Sequence, residues 1–218
     1  MTISPVKRKS NKVVKIKRST KYSDRIIVTF ENKSVLRVPE DAFILFPIKI
    51  GDIISSDNIK KYDEKMRLQE AKDAAFRLLS YRMRSTGEMR RRLTDKSFLP
   101  DEINHTIVYL KKLNYLNDLE FARTFSKEKV KLKMIGPSLL RAELFKHYIK
   151  SSLIDEVIDY IYEENDIILL IVKHLEKKKI LKNESLEDKK KKKLSDYLIR
   201  KGFTWGQINE VYTEWGIN

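Results

Sequence analysis

The chain has 218 residues with 41% hydrophobic side chains, no cysteine, and 46 Lys and Arg against 31 Asp and Glu, a formal net charge of +15. This hydrophobic fraction excludes a wholly disordered chain, and the lack of cysteine excludes disulfides, thiolate metal sites and cysteine nucleophiles. The basic excess favours a polyanionic partner, most often nucleic acid, although a lysine-rich genome would raise the same charge without one.

The N-terminal segment from Met1 to Ser10 is basic, but no apolar run follows it, so it lacks the pattern of a signal peptide. The longest strongly apolar run, Ile167 to Val172, is far shorter than the ~20 residues that span a bilayer. We therefore expect a cytoplasmic protein without a membrane partner.

We predict a basic flexible arm over residues 1–12, and strand-like runs follow it. Val13 to Arg18, Ile26 to Phe30 and Val35 to Val38 are rich in β-branched residues and are separated by polar turns. Such runs are typical of antiparallel strands. Residues 13–55 are therefore predicted to form a small β-rich module.

One pattern of six apolar positions occurs three times in the rest of the chain, without gaps inside the pattern. In each copy the first two positions lie four residues apart, and the last three have the i, i+4, i+7 spacing of one buried helix stripe. A helix–turn–helix unit of this kind cannot bury its apolar face alone, so three in succession predict a repeat protein. Chance self-similarity in an amphipathic helical chain is the alternative. The copies are Met89, Leu93, Phe98, Ile103, Ile107 and Leu110; Leu140, Leu144, Ile149, Ile154, Ile158 and Ile161; and Leu194, Leu198, Phe203, Ile208, Tyr212 and Trp215.

Each copy is predicted to supply two helices of a three-helix repeat, with repeats over residues 57–113, 117–164 and 166–218. Helix starts are predicted where a side chain can accept hydrogen bonds from the free N–H groups of the first turn. The predicted caps are Asp57, Asp166, Ser151 or Ser152, and the capping boxes Ser85–Glu88, Asn117–Glu120 and Thr204–Gln207. The predicted fold is mainly α, with three tandem three-helix repeats in an elongated array after the β-rich module.

The sequence predicts neither a catalytic site nor a metal or cofactor site. The six glycines are scattered and do not form a phosphate-binding loop. His105, His147 and His174 lack metal-ligand spacing and are predicted to be surface or half-buried helix residues. Asp155 and Asp159 are better explained by a solvated helix face than by paired catalytic carboxylates.

Arginines are concentrated around the second helix of the first repeat. If Met89 and Leu93 face inward, 100° per residue places Arg91 on the opposite face, where its planar fork suits phosphate or carboxylate. A run of five lysines in the third repeat gives a weaker signal of the same kind. A solvated, salt-bridged surface is the alternative for both groups. The predicted contact residues for DNA or an acidic protein surface are Arg82, Arg84, Arg90, Arg91, Arg92, Lys96, Lys189, Lys190, Lys191, Lys192 and Lys193.

Three segments resemble signatures of the RecX family. Leu78 to Leu93 resembles its leucine pair and Arg-x-Arg-Ser box leading to Glu-Leu-x-x-x-Leu. Asn114 to Ala122 resembles Gly-Tyr-Leu-Asp-Asp-x-x-Phe-Ala, with Asn114 and Asn117 in place of Gly and the first Asp. Gly136 to Leu144 resembles Gly-x-x-x-Ile-x-x-Glu-Leu. The third repeat matches by its apolar pattern, and the β-rich module resembles the extension of the family's longer members.

The resemblance implies a negative modulator of RecA recombinase, built as a curved stack of three-helix repeats in the groove of a RecA filament on single-stranded DNA. It implies inhibition of RecA ATPase activity and strand exchange, and contact with single-stranded and also double-stranded DNA. We expect a monomer. The residues alone leave two alternatives open: a free-standing DNA-binding helical repeat protein, and a helical adaptor for an acidic protein partner.

Overall fold

The computed structural model describes residues 11–20 and 24–217. Most of the predicted basic arm, residues 1–12, lies outside the described residues. In the described part of the chain, three strands are followed by ten helices, which confirms a mainly α fold with a small N-terminal sheet. None of these helices combines the length and the apolar character needed to cross a membrane.

The N-terminal sheet is antiparallel, with neighbouring strands in the order β1 (Val13–Arg18), β2 (Arg25–Phe30) and β3 (Val35–Pro39). A short helix, α1 (Glu40–Leu45), follows directly. Side chains alternate between the two faces of a strand, and one face of this sheet is buried in a small core with residues from α1 and from the loop after it. On the other face, Lys15, Lys17, Val35 and Arg37 are exposed, whereas Arg25 is buried.

Nine further helices follow α1 in the described residues. They fall into three consecutive sets of three, α2–α4, α5–α7 and α8–α10, as the predicted three-helix repeats require. In chain order they are α2 (Ser56–Leu79), α3 (Thr86–Thr94), α4 (Pro100–Lys112), α5 (Asp118–Lys133), α6 (Pro137–Lys146), α7 (Ser151–Glu164), α8 (Ile167–Lys177), α9 (Asp188–Arg200) and α10 (Trp205–Glu214).

Several helices begin at the predicted capping residues. Asn117 accepts a hydrogen bond from the N–H of Glu120 at 3.1 Å, and Asp166 accepts from two N–H groups of the first turn of α8. Thr204 and Gln207 form the full predicted capping box at the start of α10. Satisfying these N–H groups fixes where each helix starts.

Two predicted caps are wrong. Helix α2 is capped by Ser55 and not by Asp57, because the Ser55 hydroxyl accepts from the N–H of Asn58 at 3.2 Å. Helix α7 begins after Lys150 without a capping side chain, so neither Ser151 nor Ser152 has the predicted role. At α2 two nearby polar residues could cap the helix, and their order in the chain does not decide which one is used.

The chain divides into two compact units. The first comprises the described residues up to Tyr81 together with Arg92–Tyr109, and the second comprises Arg82–Arg91 together with the described residues from Leu110 onward. These limits cross helices α3 and α4, so the repeat boundaries given above stay a prediction. The second unit contains the start of α3 as well as the second and third sets of helices.

The middle helix of each set ends in the same left-handed turn. Ser97, Tyr148 and Gly202 occupy equivalent positions of the pattern and have φ values of 62°, 59° and 93°. A residue with positive φ after a helix lets a following N–H reach a free carbonyl of the last turn. Here the N–H of the next residue donates at 3.3 Å in all three turns, to the carbonyls of Leu93, Leu144 and Leu198. The three sets thus share this backbone geometry, although glycine occupies the position only once.

Eleven of the twelve side chains predicted to form the repeat cores are buried. Phe98, the twelfth, is only half-buried. The buried ones are Met89, Leu93, Ile103, Leu140, Leu144, Ile149, Ile154, Leu194, Leu198, Phe203 and Ile208.

In the second unit the middle helices meet end to end. At the first junction, which joins the start of α3 to the end of α6, the Ser85 hydroxyl donates to the carbonyl of His147. At the second junction, which joins the start of α6 to the end of α9, the N–H of Gly136 donates to the carbonyl of Lys201 at 2.8 Å. Ser85 and Gly136 are equivalent positions, and so are His147 and Lys201. The two junctions therefore have the same register.

Candidate functional site

The start of α3 determines where the predicted arginines lie. Ser85 is the N-cap, since its hydroxyl accepts from the N–H of Glu88 at 3.0 Å. The N–H of Thr86 donates to the Asp118 carboxylate at 2.6 Å. A carboxylate suits this position because the free N–H groups and the helix dipole present positive charge there. Together these bonds fix the rotation of α3 and hence the direction of its outward side chains.

The Glu88 carboxylate binds two basic side chains and does not close the predicted capping box. It accepts from Arg82 Nη1 and Nη2 at 3.1 and 2.8 Å, and His147 Nδ1 lies 3.1 Å from Oε1. Burial acts to raise the pKa of Glu88, but the hydrogen bonds and charges of Arg82 and His147 outweigh it, so the pKa lies below its ordinary value. Arg82, a predicted contact residue, is therefore already paired with Glu88 at the first junction.

Arg84 does not lie on the predicted basic face. Its exposure is 9%, which places it among the buried residues. The 100° rotation of a helix was used to place Arg91, and α3 begins only at Thr86. Arg84 precedes the helix, so the rotation does not determine its direction.

Four other predicted basic residues are exposed: Arg90 and Arg91 in the second unit, and Arg92 and Lys96 in the first. Met89 is fully buried on the opposite side of α3, as the predicted orientation requires. The pattern of the sequence was therefore sufficient to identify the outward face of the helix itself.

Arg91 is paired with an aromatic residue from the next repeat. Its Nη1 donates to the Tyr148 hydroxyl at 2.6 Å, and the guanidinium carbon lies 6.0 Å from the centre of the ring. Tyr148 approaches α3 closely at Gly87, where an added Cβ would lie 2.2 Å from the Tyr148 Cβ. The lack of a side chain at Gly87 thus gives Tyr148 room beside Arg91.

A shallow groove lies beside this pair, and we call it the Arg91 groove. Phe145 and Tyr148 are 67% and 48% exposed there, and three cations stand among these rings. Cations for the phosphates, interleaved with rings on which bases can stack, are the combination that binds single-stranded nucleic acid. The groove is lined by Arg91, Phe145, Lys146, Tyr148, Ile149, Lys150 and Ser151.

Other contacts modify the charge of the Arg91 groove. Lys146 Nζ also donates to Glu143 at 2.9 Å, so one cation is partly neutralised. Helix α7 begins at Ser151 without a capping side chain. Its first N–H groups add to the positive potential of the groove.

Sequence reasoning missed four residues of the Arg91 groove: Phe145, Lys146, Tyr148 and Lys150. A signal was present, because the segment Phe-Lys-His-Tyr-Ile-Lys sets aromatic side chains among basic ones. The sequence did not reveal that this segment, more than fifty residues after Arg91, lies against α3.

The predicted lysine run forms the first turns of α9. Lys189, Lys190, Lys192 and Lys193 are exposed, and Lys191 is half-buried, with its Nζ 5.8 Å from the centre of the Tyr212 ring. Lys190 also binds Glu184 at 2.8 Å. Cations are unfavourable at the N-terminal end of a helix, so these lysines do not serve to stabilise α9.

The histidines occupy three different environments. His105 is exposed and His147 half-buried, as predicted, but His174 is only 1% exposed. The prediction of a surface or half-buried residue is therefore wrong for His174. Its Nε2 lies 2.7 Å from the Met134 carbonyl and its Nδ1 lies 3.0 Å from the Tyr197 hydroxyl, so both nitrogens of the buried ring have a partner. Over residues 11–20 and 24–217, acidic side chains and histidines do not gather into a group that could hold a metal ion.

Family models match two segments of the chain. Residues 71–110 match a model described as RecX, first three-helix domain. Residues 170–212 match one described as RecX, third three-helix domain. The second match covers the repeat that the sequence identified only by its apolar pattern.

Relatives match over most of the chain. The regulatory protein RecX of Bacillus subtilis is 31% identical over 90% of this chain and 74% of its own length. The regulatory protein RecX of Clostridium acetobutylicum is 27% identical over 94% of this chain and 96% of its own length. These alignments include the β-rich module as well as the helical repeats.

Two solved structures have a similar fold. A crystal structure of regulatory protein RecX has a TM-score of 0.69 at 20% identity, and covers 93% of this chain and 97% of its own. The crystal structure of RecX from Lactobacillus salivarius has a TM-score of 0.61 at 23% identity, and covers 69% of this chain and 97% of its own.

Proposed function

Because this chain belongs to the RecX family, we propose that it is a negative modulator of RecA recombinase. In this proposal it binds RecA filaments on single-stranded DNA and inhibits both RecA ATPase activity and strand exchange. The identification of RecA as the partner rests on the resemblance of the three signature segments to the family, together with the family membership itself.

The Arg91 groove is the observation that best supports this proposal. Arg91 and Tyr148 present a cation and an aromatic ring from two successive repeats, with Phe145 exposed nearby. A filament on single-stranded DNA offers phosphates and unpaired bases, and both are chemically matched by this combination. Arg90 and four of the lysines at the start of α9 are further exposed cations of the same unit.

The first test is ATP hydrolysis by a cognate RecA on single-stranded DNA, titrated with this protein below and above one copy per RecA. We expect hydrolysis to fall as the protein is added. Inhibition well below one copy per RecA would indicate action at filament ends, whereas inhibition only near saturation would indicate coating of the groove. Unchanged hydrolysis at saturation would overturn the proposed function.

Charge reversal of Arg90→Glu with Arg91→Glu tests the assigned surface. Both side chains are exposed, so the fold should be retained, while the loss of phosphate contacts should raise the half-inhibitory concentration by roughly 10-fold or more at low salt. The matched control is Lys111→Glu with Lys112→Glu, which changes the net charge equally at two exposed positions of the same unit. Its half-inhibitory concentration should stay close to that of the wild type.

Circular dichroism of both variants provides the control for folding. Full inhibition by the arginine variant with a wild-type spectrum would remove this surface from the proposal without affecting RecA inhibition. Equal loss of inhibition in both variants would mean that net charge, and not the Arg91 groove, determines binding.

A further inference from the structure

The open face of the N-terminal sheet has a defined charge pattern. Two rows of side chains run across the three strands on this face, because the residues that pair across an antiparallel sheet point the same way. One row is Lys15, Thr29 and Val35, and the other is Lys17, Ile27 and Arg37. We call these six residues the open face.

The open face is accessible, and every charged side chain on it is basic. Lys15, Lys17, Val35 and Arg37 are exposed, and Ile27 and Thr29 are half-buried between them. Its only charged side chains are the three cations. The opposite side of the same strands is packed into the core of the module, so the sheet fixes the backbone positions from which these cations project.

The neighbouring charged groups of the module are engaged or lie at its ends. Arg18 is bound to Glu40. Arg25 is buried and donates to Glu70 and to Asp73 of α2. Of the other acidic residues around the strands, Asp24 and Glu31 lie in the turns before and after β2. The positive potential over the centre of the sheet is therefore not neutralised there.

The spacing of these cations is suited to an extended polyanion. Lys15 and Lys17 lie two residues apart on β1, or about 7 Å, and Arg37 stands two strands away from Lys17, or about 9.5 Å. Two of the three cations are lysines, which act as point charges and do not require the bidentate geometry of a carboxylate. Apolar side chains at Ile27 and Val35 lie between the cations and can cover unpaired bases or sugars.

We propose that the open face of the sheet binds the phosphate backbone of single-stranded DNA. A single strand exposes its bases to the apolar side chains between the cations, whereas a duplex keeps its bases paired and stacked inside. Aromatic side chains are absent from these six positions, so base stacking adds little and binding is independent of sequence. This site lies in the other compact unit from the Arg91 groove, and it does not depend on the proposed inhibition of RecA.

The test measures binding of the full chain to a labelled single-stranded oligonucleotide of mixed sequence by fluorescence anisotropy, without RecA. The variant is Lys15→Gln, Lys17→Gln and Arg37→Gln. The matched control is Lys49→Gln, Lys60→Gln and Lys61→Gln, which removes three charges from exposed positions of the same unit outside the open face.

The salt dependence of binding sets the size of the expected effect. Each phosphate contact on a single strand contributes ~0.7 to the slope of log K against log salt, so loss of three contacts should lower the slope by about 2. Affinity should fall by roughly 10-fold or more near 0.1 M salt. The control variant should keep the wild-type slope. An unchanged slope in the open-face variant, or equal reductions in both variants, would overturn the proposal.

Two further measurements keep the proposal testable if the triple variant folds poorly. In the wild-type protein, bound single-stranded DNA should protect Lys15 and Lys17 from chemical acetylation, and should leave Lys49 and Lys60 reactive. Full reactivity of Lys15 and Lys17 in the complex would contradict the proposal. A duplex of the same sequence should protect them less, and equal protection by the duplex would overturn the assignment to single strands.

Discussion

The two junctions of the second unit have the same register but are held by different chemistry. At the first junction, side chains form the contact: the Ser85 hydroxyl donates to the His147 carbonyl, and Glu88 lies 3.1 Å from the His147 ring. At the second, the backbone forms it: the N–H groups of Gly136 and Ser138 donate to carbonyls at 2.8 and 3.1 Å. End-to-end stacking of middle helices therefore does not require a particular set of residues.

The difference between the junctions also explains why a candidate site lies at only one of them. The Arg91–Tyr148 pair of the first junction corresponds to Ala142 and Gly202 at the second. A Cβ added to Gly202 would lie 2.3 Å from the N of Leu139, so the second junction is too tight for a side chain at that position. One junction presents a cation and a ring to solvent, and the other closes backbone against backbone.

The largest expected effect comes from the helix that the two junctions share. Helix α6 contacts α9 at its start and α3 at its end, and Leu144 anchors it in the core with 0% exposure. Leu144→Ala should lower the free energy of unfolding by about 2–5 kcal/mol, because it removes buried methyl groups and leaves a cavity. Urea denaturation followed by circular dichroism measures this change. Leu132→Ala, at a 67% exposed position of α5, is the control, and a similar loss there would contradict the assigned core.

A reciprocal exchange at the equivalent cap positions should separate the two kinds of junction. Gly136→Ser places a Cβ 2.5 Å from the carbonyl oxygen of Gly202, and backbone on both sides cannot move cheaply, so we expect a loss of about 2–3 kcal/mol. Ser85→Gly removes a hydroxyl without creating a clash and should cost about 1 kcal/mol.

The same urea experiment compares these two variants. A Gly136→Ser protein as stable as the wild type would show that the second junction is not tight. A greater loss of stability for Ser85→Gly than for Gly136→Ser would show that the side-chain contacts of the first junction matter more than the tight backbone contact of the second.

Acidification should weaken the two junctions in different pH ranges, with the smallest effects of the set. His174 contacts residues on both sides of the second junction. Burial lowers its pKa, and the hydrogen bond to the Met134 carbonyl acts in the opposite direction. The nearby charges of Lys201, Lys177 and Lys178 lower the pKa further. Because the pKa of His174 is depressed in the folded state, burying the neutral ring favours folding fully above the unfolded pKa of 6.5. This contribution to the free energy of unfolding decreases as pH falls below 6.5. Glu88 at the first junction also has a depressed pKa, so its contribution decreases only below 4.5.

Unfolding free energies measured from neutral pH downward test this order. His174→Gln should flatten the decrease that begins near pH 6.5, and Glu88→Gln should flatten the later decrease below 4.5. Comparing slopes within each variant removes the effect of the substitution on overall stability. An unaltered slope in His174→Gln below pH 6.5 would show that this histidine does not weaken the second junction.

Sequence alone determined the parts of this protein that depend on local periodicity and local hydrogen bonding. The strands, the three sets of helices and the outward direction of Arg91 followed from the spacing of apolar residues, because a helix or a strand repeats its faces at a fixed interval. The caps at Asn117, Asp166 and Thr204 followed from side chains that bond within a few residues of their own position.

Tertiary structure decided the features that depend on residues far apart in the chain. The pairing of Arg91 with Tyr148 requires the close approach at Gly87, and the burial of His174 requires its partners at Met134 and Tyr197. Arg84 was predicted to be a contact residue because it lies among other arginines in the sequence, but tertiary packing buries it. A periodic pattern determines which face of a helix is buried, but it contains no information on which distant residue will pack beside an exposed one. That depends on how the repeats stack, and here two junctions with the same register hold different side chains.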